Sequence, residues 1–106
     1  MGKADYTIYL SKDYTDRYRH YHHTEKGKVQ EFRIQYEALI EGRWHPIVRY
    51  DTAHGRPHKD LMHPDGSQTK EAFFGYTPAE VLTYGERDIK RNWQRYRAQY
   101  EREMKR

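Results

Sequence analysis

Cysteine is absent from the 106 residues, which excludes a disulfide framework, thiolate chemistry and a cysteine-bound zinc. No apolar run approaches the roughly 20 residues that a helix needs to cross a bilayer. The opening Met1-Gly2-Lys3-Ala4-Asp5 carries no signal-peptide apolar region, and Tyr6 stands where a myristoylation motif asks for Ser or Thr. The expectation is a cytoplasmic protein without a membrane anchor. Apolar residues are scarce as well: 35% of the chain is hydrophobic and 34% charged. The core must therefore be thin and draw on aromatics, eleven of which are tyrosines that bury a ring while the hydroxyl seeks a partner. There is no internal repeat, linker or low-complexity segment, and 106 residues make one domain, residues 1–106.

Charge is unevenly spread. Residues 87–106 hold eight Lys/Arg against three Asp/Glu, so this segment alone carries more than the chain's net +4. Such asymmetry points to an anionic partner, nucleic acid first and an acidic protein second. A solvated, arginine-rich helix face explains the same composition without a ligand.

Asp5 to Leu10 alternates, with Tyr6, Ile8 and Leu10 on one side, and reads as a strand. Arg17 to His23 is a second strand leading into a turn at Thr24 to Lys28. Val29 to Ile40 is the clearest strand, with Phe32, Ile34, Tyr36, Ala38 and Ile40 on one face and Glu31, Arg33, Gln35 and Glu37 on the other. Trp44, Pro46, Val48 and Tyr50 alternate after Glu41-Gly42. A two-residue Glu-Gly loop would set Ile34 opposite Arg49 and mix the faces. A type I turn at Ile40-Glu41 with Gly42 left-handed keeps one apolar face, placing Ala38 opposite Trp44, Ile34 opposite Val48 and Phe32 opposite Tyr50. Gln68 to Phe74 can form another strand.

Thr77, Pro78 and Glu80 spell a capping box with proline at the first helical position. The helix then runs from Pro78 nearly to the C-terminus, with Leu82, Ile89, Trp93, Tyr96, Tyr100 and Met104 on one stripe. Arg87, Arg91, Arg95 and Arg102 fall on the opposite one. Gly85 lies on the apolar side, where it permits close approach to a sheet. The fold expected is α+β: an antiparallel meander of about four strands with one long C-terminal helix packed on one face.

Between these elements Asp51 to Gly66 holds three histidines, three aspartates, two prolines and two glycines, which reads as irregular structure. His54, His58 and His63 with Asp51 and Asp60 are ligand types for zinc or manganese. Their spacing is not diagnostic, and the reading preferred is a loop in which Asp51 and Asp60 accept backbone N–H bonds, with no metal and no cofactor. The same residues suit metal-free proton transfer, with Arg49, Arg56 or Lys59 meeting a phosphorane's charge. His20, His22 and His23 form a second cluster, of which His20 and His22 share a strand face.

Arg49-Tyr50-Asp51-x-Ala53-His54 followed by Pro57-His58-Lys59 resembles the RYDNAPHH and PHHKH signature of TumE-type toxins, small partners in prokaryotic toxin-antitoxin modules. The chain is also similar to a related prokaryotic family of small proteins carrying RYDxAHGxPHxD and an NWxxY helix, here Asn92-Trp93-Gln94-Arg95-Tyr96. A Gly-Arg pair separates His54 from Pro57, and the later HHKH run of the toxins is absent. The resemblance implies a sheet-plus-helix domain, an RNA-directed function and a cognate antitoxin protein as partner. Its motif positions are Arg49, Tyr50, Asp51, His54, Pro57 and His58.

The function expected is a prokaryotic toxin-like or RNA-directed protein acting as a metal-independent ribonuclease. His54 and His58 would transfer protons, Asp51 would orient a histidine, and Arg49 and Lys59 would stabilise charge. RNA would be held by Arg87, Arg91, Arg95 and Arg102, with a base stacked on Tyr50, Tyr18 or Tyr21. The competing class is a non-catalytic adaptor that binds a partner through the basic helix or a sheet edge.

Overall fold

The computed structural model describes residues 2–105, except for the side chain of His54. Six antiparallel strands follow one another in space as in sequence: β1 (Gly2–Tyr9), β2 (Asp16–Glu25), β3 (Lys28–Ile40), β4 (Arg43–Asp51), β5 (His58–Met62) and β6 (Gln68–Ala72). A short 3-10 turn, Ala53–Gly55, links β4 to β5, and one helix, α1 (Pro78–Met104), packs on β3 and β4. The α+β class and the C-terminal helix match expectation, but the meander has six strands rather than about four. The main surprise is β5, five residues in the middle of the stretch read as irregular. Turn chemistry occupies Thr52–Pro57 and His63–Ser67, while between them His58 and Asp60 alternate with Lys59 and Leu61 as a strand whose polarity hid its period.

The apolar face of β3 is buried as its alternation predicts, with Phe32, Ile34, Tyr36 and Ala38 at 2% exposure or less. The β3–β4 register differs from expectation. Glu41 and Gly42 both take positive φ, 53° and 79°, the signature of a two-residue type I′ hairpin. Ile40 therefore pairs with Arg43 and Leu39 with Trp44. Mixing of the faces is avoided by a bulge: Glu37 pairs with Pro46 and Tyr36 with Val48, so Ile47 is the extra residue. Ile47 and Val48 are both fully buried, and beyond them Ile34 meets Tyr50 on the apolar side. Trp44 falls on the other face, where the Arg17 guanidinium lies 3.7 Å from its ring centroid.

The helix begins as its sequence dictates. Thr77 Oγ1 accepts the Glu80 N–H at 3.2 Å and Glu80 Oε1 accepts the Thr77 N–H at 2.9 Å, so two otherwise unpaired donors are satisfied. Leu82, Ile89 and Tyr100 are buried, and Val81 joins them. Trp93, Tyr96 and Met104 pack at the margin of the core. Tyrosine hydroxyls carried into the core meet carboxylates. Tyr36 donates to Asp16 at 2.6 Å, which Arg97 also grips at 3.0 Å, and Tyr50 and Tyr96 both donate to Asp88 at 2.6 Å. No helix among the described residues is long and apolar enough to cross a membrane.

Gly85 sits at the closest approach of α1 to the sheet, where an added Cβ would stand 2.8 Å from Tyr50 Cγ and 2.9 Å from Ile34 Cδ1. Overpacking costs about 1–3 kcal/mol, and alanine's better helix propensity returns about 1 kcal/mol. Gly85→Ala is expected to lower unfolding stability in urea by about 1 kcal/mol. A more stable variant would show that the seam has slack.

Candidate functional site

Because α1 covers one face of the sheet, every second residue of the strands points to the face it leaves open. Two adjacent cross-strand rows run over that open face. One places Arg19, Gln35, Arg49, Asp60 and Lys70 in successive register, and the other places Asp5, Tyr21, Arg33, Asp51 and His58. Cross-strand neighbours stand about 5 Å apart at Cβ, so the rows form a continuous polar surface. The motif residues Arg49, Asp51, His58 and Asp60 form a compact block within it.

At the block's centre His58 Nε2 lies 2.9 Å from Asp51 Oδ1 and 3.5 Å from Asp60 Oδ2. His58 Nδ1 lies 3.1 Å from the Arg56 carbonyl oxygen, so the ring is fixed from both sides. Asp51 and Asp60 are buried. Asp51 Oδ1 also accepts the Ala53 N–H at 3.3 Å, the loop bond expected of it. Asp60 is met instead by the Lys70 ammonium, 3.3 Å from Oδ1. The connecting loop is pinned at its start by Phe32 and Thr52, which exchange backbone and hydroxyl bonds. At its end the Phe73 N–H donates to the Pro57 carbonyl at 3.1 Å.

Arg49 donates through Nε to Gln35 at 2.8 Å, and Gln35 donates to Glu37 at 2.6 Å. A depression of 330 Å³ is bordered by Arg19, Arg33, Arg49 and Tyr21. A second, of 260 Å³, shares Tyr21 and Arg33 with it and reaches Asp51. On the other side of the block a cleft of 570 Å³ is lined by Arg56, His58 and Lys70. The three form a track across the open face with Asp51 and His58 in its middle.

Of the expected catalytic set, Arg49, Asp51 and His58 are brought together. The side chain of His54 lies outside the described residues. Lys59 is on the other face, where its ammonium donates to Tyr96 Oη at 2.8 Å and lies 3.7 Å from Asp88. Strand alternation separates it from its neighbours His58 and Asp60, so it cannot share a phosphate with Arg49. Tyr50 is fully buried with its hydroxyl on Asp88, which leaves no ring face for a base. Arg87, Arg91, Arg95 and Arg102 are exposed as expected, but on the outer side of a helix that covers the opposite face of the sheet. His63 is held by Glu103 at 2.8 Å and Thr69 at 2.7 Å, away from the block.

His20 and His22 share a face, their Nε2 and Nδ1 2.6 Å apart, yet it is the helix-covered one, and they do not converge on the motif. His20 is buried and stacked on Tyr6. Burial pushes it below its ordinary value against the pull of Glu86, with His22 adding to the depression. Arg19, Arg33 and Asp60 stand outside the expected catalytic set; in the sequence Asp60 reads as a loop carboxylate or a metal-ligand type. The signal for them lies in the polar half of the same alternation that identifies the strands, which reads as solvent-facing until register shows what it gathers.

Asp88 shows how the inner face is held. Burial alone would raise its carboxyl, but the hydrogen bonds from Tyr50, Tyr96 and Asn92, with Lys59 nearby, outweigh that and hold it below the ordinary 3.8. A depressed folded value means stability fully present above the unfolded value and lost as pH falls through the folded one. Asp88→Asn is expected to cost about 2 kcal/mol at pH 7 by leaving donors unmatched. The gap to the parent protein should narrow in denaturant titrations at increasingly acid pH, and a constant gap down to the acid limb would contradict the assignment.

The chain matches, over residues 1–106, the family model described as a domain of unknown function, DUF7718. No curated protein and no solved structure matches it. With the match spanning its whole length, the chain belongs to the DUF7718 family.

Proposed function

We propose that the open face of the sheet receives RNA and that the protein is a toxin-like, metal-independent ribonuclease. The observation that carries this reading is the His58–Asp51 contact of 2.9 Å in the middle of a track bordered by Arg19, Arg33 and Arg49. Phosphates would sit on the arginines and a base would stack on Tyr21, which borders two of the depressions. This replaces the helix arginines and Tyr50 as the nucleic-acid contacts.

Cleavage in this reading is attack of the 2′-hydroxyl on its own phosphate. The O2′–P bond forms, the P–O5′ bond breaks, and a 2′,3′-cyclic phosphate and a 5′-hydroxyl result. No protein nucleophile is needed. His58, with an oxygen acceptor at each ring nitrogen, suits the role of proton donor to the departing 5′-oxygen, held in position by Asp51. His54, in the turn between the cleft-lining Ala53 and Gly55, would take the 2′-hydroxyl proton. Arg33 and Arg49 would meet the charge on the phosphorane. A cognate antitoxin protein would silence the molecule by covering this face.

The competing adaptor reading has its own support in the exposed Arg87, Arg91, Arg95 and Arg102 stripe, and the two separate cleanly. In the ribonuclease reading His58→Ala abolishes RNA cleavage and growth inhibition while the protein stays folded. Arg33→Ala weakens RNA binding and lowers its salt slope by about one. Charge reversal at Arg91 and Arg95 leaves cleavage untouched. Purified protein that leaves diverse RNAs intact, with and without divalent metal, would remove the enzyme reading. Loss of partner binding on charge reversal alone would establish the adaptor.

A further inference from the structure

The motif block has the anatomy of a cation site, independently of what the arginines bind. Asp51, His58 and Asp60 each offer one ligand atom, and the three atoms lie within 4.8 Å of one another. From His58 Nε2 the two carboxylate oxygens stand at 2.9 Å and 3.5 Å. Metal bonds of about 2.1 Å imply ligand-to-ligand edges of roughly 3.0 Å in an octahedron and roughly 3.4 Å in a tetrahedron. The two edges at Nε2 bracket both values, and the edge between the carboxylate oxygens is within 4.8 Å.

Three further features favour a metal over a simple ion pair. His58 Nδ1 is set against the Arg56 carbonyl at 3.1 Å, the outer contact that commonly fixes the tautomer of a ligating histidine and turns its Nε2 lone pair toward the metal. Asp51 and His58 are register partners and Asp60 lies two residues along the same strand, so the donors project from paired strands that hold them in place before any ion arrives. Lys70, the cation already beside Asp60, contacts Oδ1 and is 68% exposed, whereas it is Oδ2 that faces His58. Lys70 thus leaves the inward oxygen free of its own contact and can swing into solvent.

We propose that Asp51, His58 and Asp60 bind one divalent transition-metal ion of the zinc or manganese class, through Nε2 and one oxygen of each carboxylate. Of the three ligands His58 lines the 570 Å³ cleft, together with Arg56, Lys70 and Glu71. One imidazole and two carboxylates suit such ions, while magnesium favours an all-oxygen shell that keeps its waters. The site does not depend on the ribonuclease reading. Where both hold, an ion on Nε2 withdraws His58 from proton donation, and the metal is an inhibitor of cleavage.

The test is calorimetric titration of the full chain, freed of metal with EDTA and dialysed, with Zn2+ or Mn2+ and without RNA. One ion per chain is expected. Asp60→Asn should weaken binding by about tenfold or more, and Lys70→Ala should tighten it by removing the competing ammonium. Circular dichroism establishes that each variant is folded. No binding to the folded parent protein would overturn the site, as would binding unchanged in folded Asp60→Asn, which would place the ion elsewhere, for instance at His20 and His22. If Asp60→Asn does not fold, Lys70→Ala decides: unchanged affinity there overturns the proposal. Because no cleavage is read, failure here leaves the ribonuclease reading standing, and failure of that reading leaves this one.

Discussion

The structure turns on the Asp88 carboxylate, which takes hydrogen bonds from Tyr50 on the sheet and from Tyr96 and Asn92 on its own helix. A chain with so few aliphatic residues fills out its core with tyrosines, among them Tyr18, Tyr36 and Tyr50, and each buried hydroxyl needs an acceptor or costs about 1–3 kcal/mol. Asp88 answers two of them, and Asp16 answers Tyr36 at the other end of the seam. About one turn before Asp88, Gly85 lets the helix backbone close on Tyr50 and Ile34. Hydrogen bonds therefore fix the orientation of a helix that a thin apolar core would hold only loosely.

That inner lock organises the outer face. Tyr50 cannot rotate out of the core without abandoning Asp88, and strand alternation then obliges Arg49 and Asp51 to point the other way. Lys59 is tied to Tyr96 in the same manner, which directs His58 and Asp60 outward beside Asp51. Four residues of one motif are thus aligned on the open face because the residues between them are held on the covered face. A motif that reads as a run of functional residues is in fact half anchor and half site. Substitutions at Tyr50 or Lys59 would disturb the site by releasing the strands that present it.

Much of this is legible in the sequence alone. The apolar alternation of β3, the capping box at Thr77, the long amphipathic helix and the use of Gly85 all follow from short-range chemistry, and each is found where expected. What is hidden depends on long-range register. A bulge at Ile47 leaves no mark in composition, yet it decides that a two-residue hairpin is compatible with a single apolar face and that Trp44 lies outside the core. The strand β5 is masked because its buried positions include Asp60, a charge whose burial is tolerated only through Lys70 and His58. Within the site, the role of Asp51 as organiser of a histidine can be read from the motif. The nearness of Arg19 and Arg33 cannot, since three strands must be paired before those side chains border one depression with Arg49.

The distribution of charge carries the same lesson about position over composition. The strongest basic segment, residues 87–106, has its residues 87–104 on a helix separated from the open face by the thickness of the sheet. A helix is about 10 Å across and packs roughly 10 Å from the element beneath it, while screening at physiological salt acts over about 8 Å. The exposed arginines of α1 are therefore more than a screening length from the Asp51–His58 pair, and they contribute little to the potential felt there. The local field at the motif is set by the charges of the two rows themselves, Arg19, Arg33, Arg49 and Lys70 against Asp5, Asp51 and Asp60. What the face presents is therefore set less by net composition than by which side chains the cross-strand register makes neighbours.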